Sequence, residues 1–188
     1  MKSSFLFLSL VLITISQLVF AAPAPADNAE EPQDNSNGAS PTDRAWVNEG
    51  AFESGILGVT NQYRAQHGAR PLQWNSSLAW WAYGYLDRNK CAWKHSQGPW
   101  GENIACGYVT PAHSVKIWGD ERRAYDYRHP GFTHETGHFT QLVWKGTTDV
   151  GCAREWCGRY MRWFVACEYW PPGNVQGQFA QNVSPQRR

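Results

Sequence analysis

An α+β fold is predicted for this chain. Helical periodicity dominates the first part of the foldable region, alternating apolar runs dominate the last, and Pro130-Gly131 stands between them. The first helix is expected over residues 52–67, stopped by Gly68 with Pro71 beyond it. A second follows Trp74-Asn75 and carries Leu78, Ala79, Ala82 and Leu86 on one helical stripe. A third starts at Thr110-Pro111, a capping residue and a first-turn proline, and reaches Ala124. Three extended runs complete the pattern, at 138–144, 150–154 and 159–169. In the first, Phe139, Gln141 and Val143 alternate with Thr140, Leu142 and Trp144, with His138 at the strand entry. In the last, Arg162, Phe164 and Ala166 alternate with Trp163, Val165 and Cys167, as expected of a largely buried antiparallel strand. No internal repeat is found.

The regions outside this core have their own signatures. Lys2, an apolar run over residues 5–20 and then Ala21-Ala22 read as a secretory signal peptide cleaved after Ala21. The run is near the lower limit for a spanning helix and has no basic stop after it, so no transmembrane segment is expected in the mature protein. Residues 22–45 open with APAPA, hold Asp27, Glu30, Glu31, Asp34 and Asp43, and contain no aromatic side chain. Such a stretch cannot bury enough apolar surface to offset its ordering entropy, and reads as a disordered linker or propeptide. Residues 46–183 suit one domain with one core, followed by a tail over 184–188.

A formal net charge of +1 supplies no basic field for nucleic acid, and the scattered Arg and Lys residues read as solvated faces. Among the eleven tryptophans, Trp80, Trp81, Trp144 and Trp163 lie in apolar contexts and are expected in the core. The five cysteines, Cys91, Cys106, Cys152, Cys157 and Cys167, are read as a disulfide framework in a secreted chain, with connectivity left open by spacing. No pair has the C-x-x-C spacing of a structural zinc site. Asn75-Ser76-Ser77 and Asn182-Val183-Ser184 are glycosylation sequons, although Asn75 equally suits a helix cap and Pro185 follows the second.

His134-Glu135-Thr136-Gly137-His138 spells the H-E-x-x-H pattern of zinc proteases, whose chemistry needs both histidines on one helix. Pro130, Gly131, Gly137 and the extended run that follows oppose a helix there. Gln141 stands where the longer form of the motif needs glycine, and no third histidine follows. The match is read as coincidental, with His134 and Glu135 as exposed loop residues. A G-x-S-x-G nucleophile motif is absent, and Cys106 has no recognisable catalytic partner, so the chain is read as no enzyme.

Five separated motifs carry a resemblance. They are NQYRAQHGARPLQW at 61–74, His95-Ser96, Gly101-Glu102-Asn103 with Trp118 and Glu121 after it, GHFTQLVWKGTTDVGCA at 137–153, and CEYWPPGN at 167–174. In this order they resemble the CAP superfamily, the cysteine-rich secretory, antigen 5 and pathogenesis-related class 1 proteins, and look most like its fungal secreted members. The resemblance implies a three-layer α-β-α sandwich with a central, mainly antiparallel sheet. It implies the pairs Cys91–Cys157 and Cys152–Cys167, with Cys106 unpaired. It also implies a cavity holding His95, Glu102, Glu121 and His138, a reasonable site for a divalent metal such as zinc or magnesium, with no organic cofactor. Finally, Tyr125, Tyr127 and Phe132 resemble the aromatic loop with which sterol-binding members hold their ligand. The function implied is that of a secreted protein that binds and exports or carries sterols and related small lipids. The alternative is a host-interaction or virulence factor that meets a host surface protein through its exterior, and a metal-dependent hydrolase ranks third.

Overall fold

A computed structural model describes residues 39–187; the apolar run 5–20 and residues 22–38 lie outside it. The elements in chain order are α1 Arg44–Val47, α2 Glu49–Gln66, β1 Gln73–Trp74, α3 Ser76–Asn89, β2 Gly101–Cys106 and α4 Pro111–Asp120. A 3-10 turn over Glu121–Arg123 leads on to α5 Gly137–Leu142, β3 Asp149–Trp156, α6 Gly158–Met161, β4 Trp163–Trp170 and α7 Phe179–Asn182. The strands form one sheet in the order β1-β3-β4-β2, with β1 parallel to β3 and the other pairs antiparallel.

The long helices start where local chemistry supplies a cap. Asn48 accepts from the Ala51 amide at 2.9 Å to open α2, Asn75 accepts from the Ser77 amide at 3.0 Å to open α3, and Thr110 accepts from the His113 amide at 3.1 Å to open α4. Pro111 fills the first turn of α4, where its missing N–H costs nothing. Helix α3 packs Ala82, Tyr85 and Leu86 on one face of the sheet, against Ile104, Phe164 and Ala166. It approaches so closely at Gly151 that a Cβ there would collide with the α3 backbone at Asn75 and Ala79. On the other face, Val165, Cys167 and Tyr169 meet Phe52 and Ile56 of α2, Val115 and Trp118 of α4, and Phe139 and Leu142 of α5. The result is a three-layer sandwich.

Several expectations need correction. Residues 138–144 are not a strand: Gly137–Leu142 is a short helix. Gly137, Phe139, Thr140, Gln141 and Leu142 are all buried, so the chain is enclosed on every side and the alternation carried no information about a solvent face. The sheet gains its third long member instead from β2, whose mixed sequence GENIAC does not alternate. The last extended run begins late, because residues 158–161 form a helical turn and Arg162 turns the chain at φ 56. Trp144 and Trp163 are core residues, but Trp81 is only half-buried and Trp80 is 74 % exposed. Ala39 and Trp46 are both buried, so the packed unit reaches back beyond the expected start at 46. The third helix ends at Asp120 and tightens into the 3-10 turn before Ala124.

Cys91–Cys157 joins the end of α3 to the β3–α6 junction, and Cys152–Cys167 crosses from β3 to β4. Cys106 is free and half-buried, and burial pushes its thiol above the ordinary range, away from the reactive thiolate. Asn182 is buried, accepting from the Gly146 amide at 3.0 Å and donating to the Gln178 carbonyl at 2.9 Å, so its side-chain amide is engaged within the fold. Asn75 is committed as the α3 cap and also reaches Asp149 at 3.3 Å.

Candidate functional site: two clasped histidines beside an aromatic loop

The four expected polar residues fall into two pairs built on one plan. Glu102, on β2, accepts from His95 Nδ1 and from the Ser96 amide, to which both its oxygens lie at 3.1 Å. Glu121, at the start of the 3-10 turn, accepts from His138 Nδ1 at 2.6 Å and from the Phe139 amide at 3.0 Å. Each carboxylate thus clasps one imidazole and the backbone amide that follows it. Because an ionised carboxylate only accepts, Nδ1 carries the proton in each neutral ring and Nε2 keeps its lone pair. That is the arrangement in which a carboxylate orients a metal-binding histidine.

The surroundings hold the His138 segment from several elements. Trp118 of α4 lies roughly parallel to His138, with ring centroids 6.0 Å apart. Asn103 donates to the His138 carbonyl at 3.1 Å. Asn174 donates to the Gly137 carbonyl at 3.0 Å, and Gly173 donates to Gln141 at 2.8 Å, so the WPPGN segment clamps α5. Under α5, the fully buried Arg64 donates to the carbonyls of Arg70, Leu142, Trp144 and Thr147 at 2.7 to 3.0 Å. It has no carboxylate partner among the described residues, and burial lowers its guanidinium to about 10.

One acidic residue escaped the sequence. Glu168 on β4 stands directly opposite Glu102 on β2, is fully buried, and accepts no hydrogen bond on either oxygen. Burial, the facing charge of Glu102 and a hydrogen bond to it push Glu168 up to about 9. A neutral Glu168 would donate to Glu102, whose other contacts hold His95. Only the strand register brings these two glutamates together.

Among the described residues, the one group of three metal-ligand types gathered within 4.8 Å is Cys91, Glu155 and Cys157. Both sulfurs are committed to the disulfide, so that group offers no thiolate. His134 and Glu135 lie exposed in a turn ahead of α5, while His138 lies within the helix, so the H-E-x-x-H pattern does not share one helical face.

The aromatic loop divides unequally. Tyr125 is 7 % exposed and meets Phe139 edge-on at 5.7 Å and Tyr127 at 4.9 Å. Asp126 braces the turn through His129 at 2.9 Å and the Arg128 amide at 2.9 Å; the His129 bond first, then the amide, holds its carboxyl down to about 2. Tyr127 lines a cleft of about 320 Å³ with His67, Arg122, Arg123 and Gln186. Phe132 is 47 % exposed and lies over Gly137, where a Cβ would come within 2.7 Å of its ring. The loop thus touches the residue next to His138.

A family model described as "CAP: Cysteine-rich secretory protein family" matches residues 57–169. Protein PRY2 of Saccharomyces cerevisiae is 44 % identical over 137 residues, covering 71 % of this chain and 41 % of that protein. The chain thus spans less than half the length of that relative. Pathogenesis-related protein PR-1 of Medicago truncatula is 42 % identical over 68 % of this chain and 78 % of its own. The fold is also similar to a crystal structure of NaASP2 with Zn2+, at TM-score 0.56 and 21 % identity, covering 81 % of this chain and 90 % of that one.

Proposed function

The chain belongs to the CAP family of cysteine-rich secretory proteins, and on that premise we propose that it is a secreted, non-enzymatic carrier of sterols and related small lipids. The observation that carries this reading is the division of labour in the aromatic loop. Tyr125 roots it in the core, while Tyr127 and Phe132 keep accessible ring surface at its outer part. A rigid apolar ligand needs flat aromatic contacts held in fixed positions, with few polar groups to orient it. The signal-peptide pattern read in the sequence of residues 1–21 supports secretion.

A divalent ion held by the two clasped histidines would act as a shaping element of the domain. His95 and His138 would be the ligands through Nε2, while Glu102 and Glu121 hold the rings through Nδ1. Zinc suits imidazole donors better than magnesium, which favours oxygen. When bound, the ion would supply a fixed positive charge.

Lipid extraction of purified protein followed by mass spectrometry tests the carrier reading, with cholesterol and ergosterol binding assays beside it. Co-purified or bound sterol that is lost in Tyr127→Ala and Phe132→Ala is the expected result. No sterol binding by wild-type protein would reject it. A second reading, in which the exterior meets a partner protein, is favoured by the exposed stacked pair Trp80 and Tyr83, with ring centroids 5.6 Å apart.

A further inference from the structure

Strand β3 has one incompletely covered side. Its partner there, β1, reaches only residues 149 and 150, and the Asn75 amide closes that end on the Val150 carbonyl at 2.9 Å. Beyond Val150, the direction of each backbone group follows from the ladder with β4. Cys157 donates to the Arg162 carbonyl at 2.7 Å, so odd-numbered positions of β3 bond towards β4. Cys152 and Cys167 face each other with Cα atoms 4.1 Å apart, the close spacing of a non-hydrogen-bonded pair. Cys152, Arg154 and Trp156 therefore aim their N–H and C=O groups away from β4. Among the described residues nothing bonds to those groups.

A groove of about 640 Å³ runs along this edge. Cys152 and Arg154 form its floor, Glu53 of α2 stands on one side, and Ala79, Trp80 and Tyr83 of α3 stand on the other. The two aromatic rings are stacked and more than half exposed, at 74 % and 54 %. Because helices flank the strand, the edge is recessed. Another folded sheet cannot approach it without meeting the helices, whereas a single extended segment can enter. The charges select further. Arg154 is already engaged with Glu49 at 2.9 Å, with the Val47 carbonyl at 3.3 Å and over the Phe52 ring at 4.2 Å. Glu53 has no cationic partner among the described residues.

We infer that this groove binds a short extended peptide of a partner protein, which adds to β3 as a strand, lays apolar side chains on Trp80 and Tyr83, and places a Lys or Arg beside Glu53. The added strand would satisfy backbone groups that are costly to leave unpaired in a recess, and alternate side chains would provide selectivity. The inference is independent of the lipid reading, since the groove shares no residue with the aromatic loop or the clasped histidines.

The test uses the isotope-labelled chain and pooled, end-blocked hexapeptides of Val, Ile, Thr and Tyr carrying one Lys or Arg, with a matched pool carrying Glu instead. The basic pool should shift the amide signals of Cys152, Arg154 and Trp156 and slow their hydrogen exchange, and Glu53→Gln should remove its advantage over the acidic pool. N-methylating the best peptide at alternate amides should cost about tenfold in affinity at one parity and little at the other, since only one set faces β3. This readout needs no variant to fold. Absence of shifts with every pool, or equal loss at both parities, would overturn the inference. So would the same amides responding to lauric acid, which would make the groove a lipid cleft, or to protein concentration alone, which would make it a self-association edge.

Discussion

The clasped histidines and the aromatic loop meet where Phe132 lies over Gly137, yet they are organised differently. At the histidines a carboxylate holds each Nδ1, and His138 is held again by packing and backbone contacts from other elements. The His138 ring is placed before any ligand arrives. In the loop one aromatic is buried to hold the others, and Tyr127 and Phe132 keep surface in reserve. Polar sites need fixed direction, because hydrogen bonds and metal bonds weaken quickly with angle. Apolar contacts need area, which a loop can offer with less angular precision. The same neighbourhood therefore supports a rigid polar site and a less constrained apolar one.

The largest expected effect removes the support under the polar site. Arg64→Met leaves four buried carbonyls without their donor and should cost on the order of 3–5 kcal/mol in urea unfolding. A cost below about 1 kcal/mol would mean that the end of α5 is not held by Arg64. Next, the loop should separate cleanly into root and surface. Tyr125→Ala should destabilise the fold by about 3 kcal/mol, whereas Phe132→Ala should leave it within about 1 kcal/mol while weakening sterol binding roughly ten- to a hundredfold. Equal destabilisation by both would erase the division of labour proposed for the loop.

The acid behind the polar site gives a smaller, pH-dependent signal. Glu168 titrates near 9 in the folded chain against an ordinary value of 4.5. Between those values the folded state keeps a proton that the unfolded state has released, so its contribution is full below about 4.5 and is lost as pH rises through that window. Glu168→Gln keeps a donor to Glu102 without the titration. It should gain on the order of 2 kcal/mol near pH 7 and flatten the slope between pH 5 and 9. An unchanged slope would show that Glu168 is not the neutral partner of Glu102.

The smallest effect runs the other way. His67 donates from Nδ1 to the Ser184 carbonyl at 2.7 Å, leaves Nε2 buried without a partner, and meets Phe139 edge-on at 5.0 Å, beneath the loop root. Burial lowers its titration from 6.5. The unfolded chain therefore takes up a proton first, and stability present above about 6.5 is lost as pH falls below it. His67→Phe should reduce that loss, about 1 kcal/mol by one pH unit lower, in thermal scans at pH 6.5 and 5.5. If the substitution leaves the acid limb unchanged, its origin lies in another group.

Much of the fold was legible because its signals are local. Asn75, Thr110 and Pro111 mark helix starts through bonds made within one turn, and Leu78, Ala82 and Leu86 show which side of α3 is buried. His95, Glu102, Glu121 and His138 were singled out by the motifs around them, and the chain places them as two His–Glu pairs. Periodicity failed at α5, where burial on all sides leaves no polar face to set a period, and at β2, which is too mixed to alternate. Composition also misplaced Trp80, since an apolar neighbourhood in sequence does not fix which side of a helix a side chain occupies.

The sequence by itself determined the α+β class, the main helix starts, the cysteines available for pairing and the residue types of the polar site. Tertiary structure alone decided that Glu168 faces Glu102, that Arg64 binds four distant carbonyls, that Tyr125 is a root while Phe132 is a surface, and that β3 keeps an open edge. Local preferences act over a turn or an adjacent pair, so they can be read along the chain. Register, layer packing and the direction of an unpaired backbone group depend on residues tens of positions apart, and they become definite only when the whole domain closes.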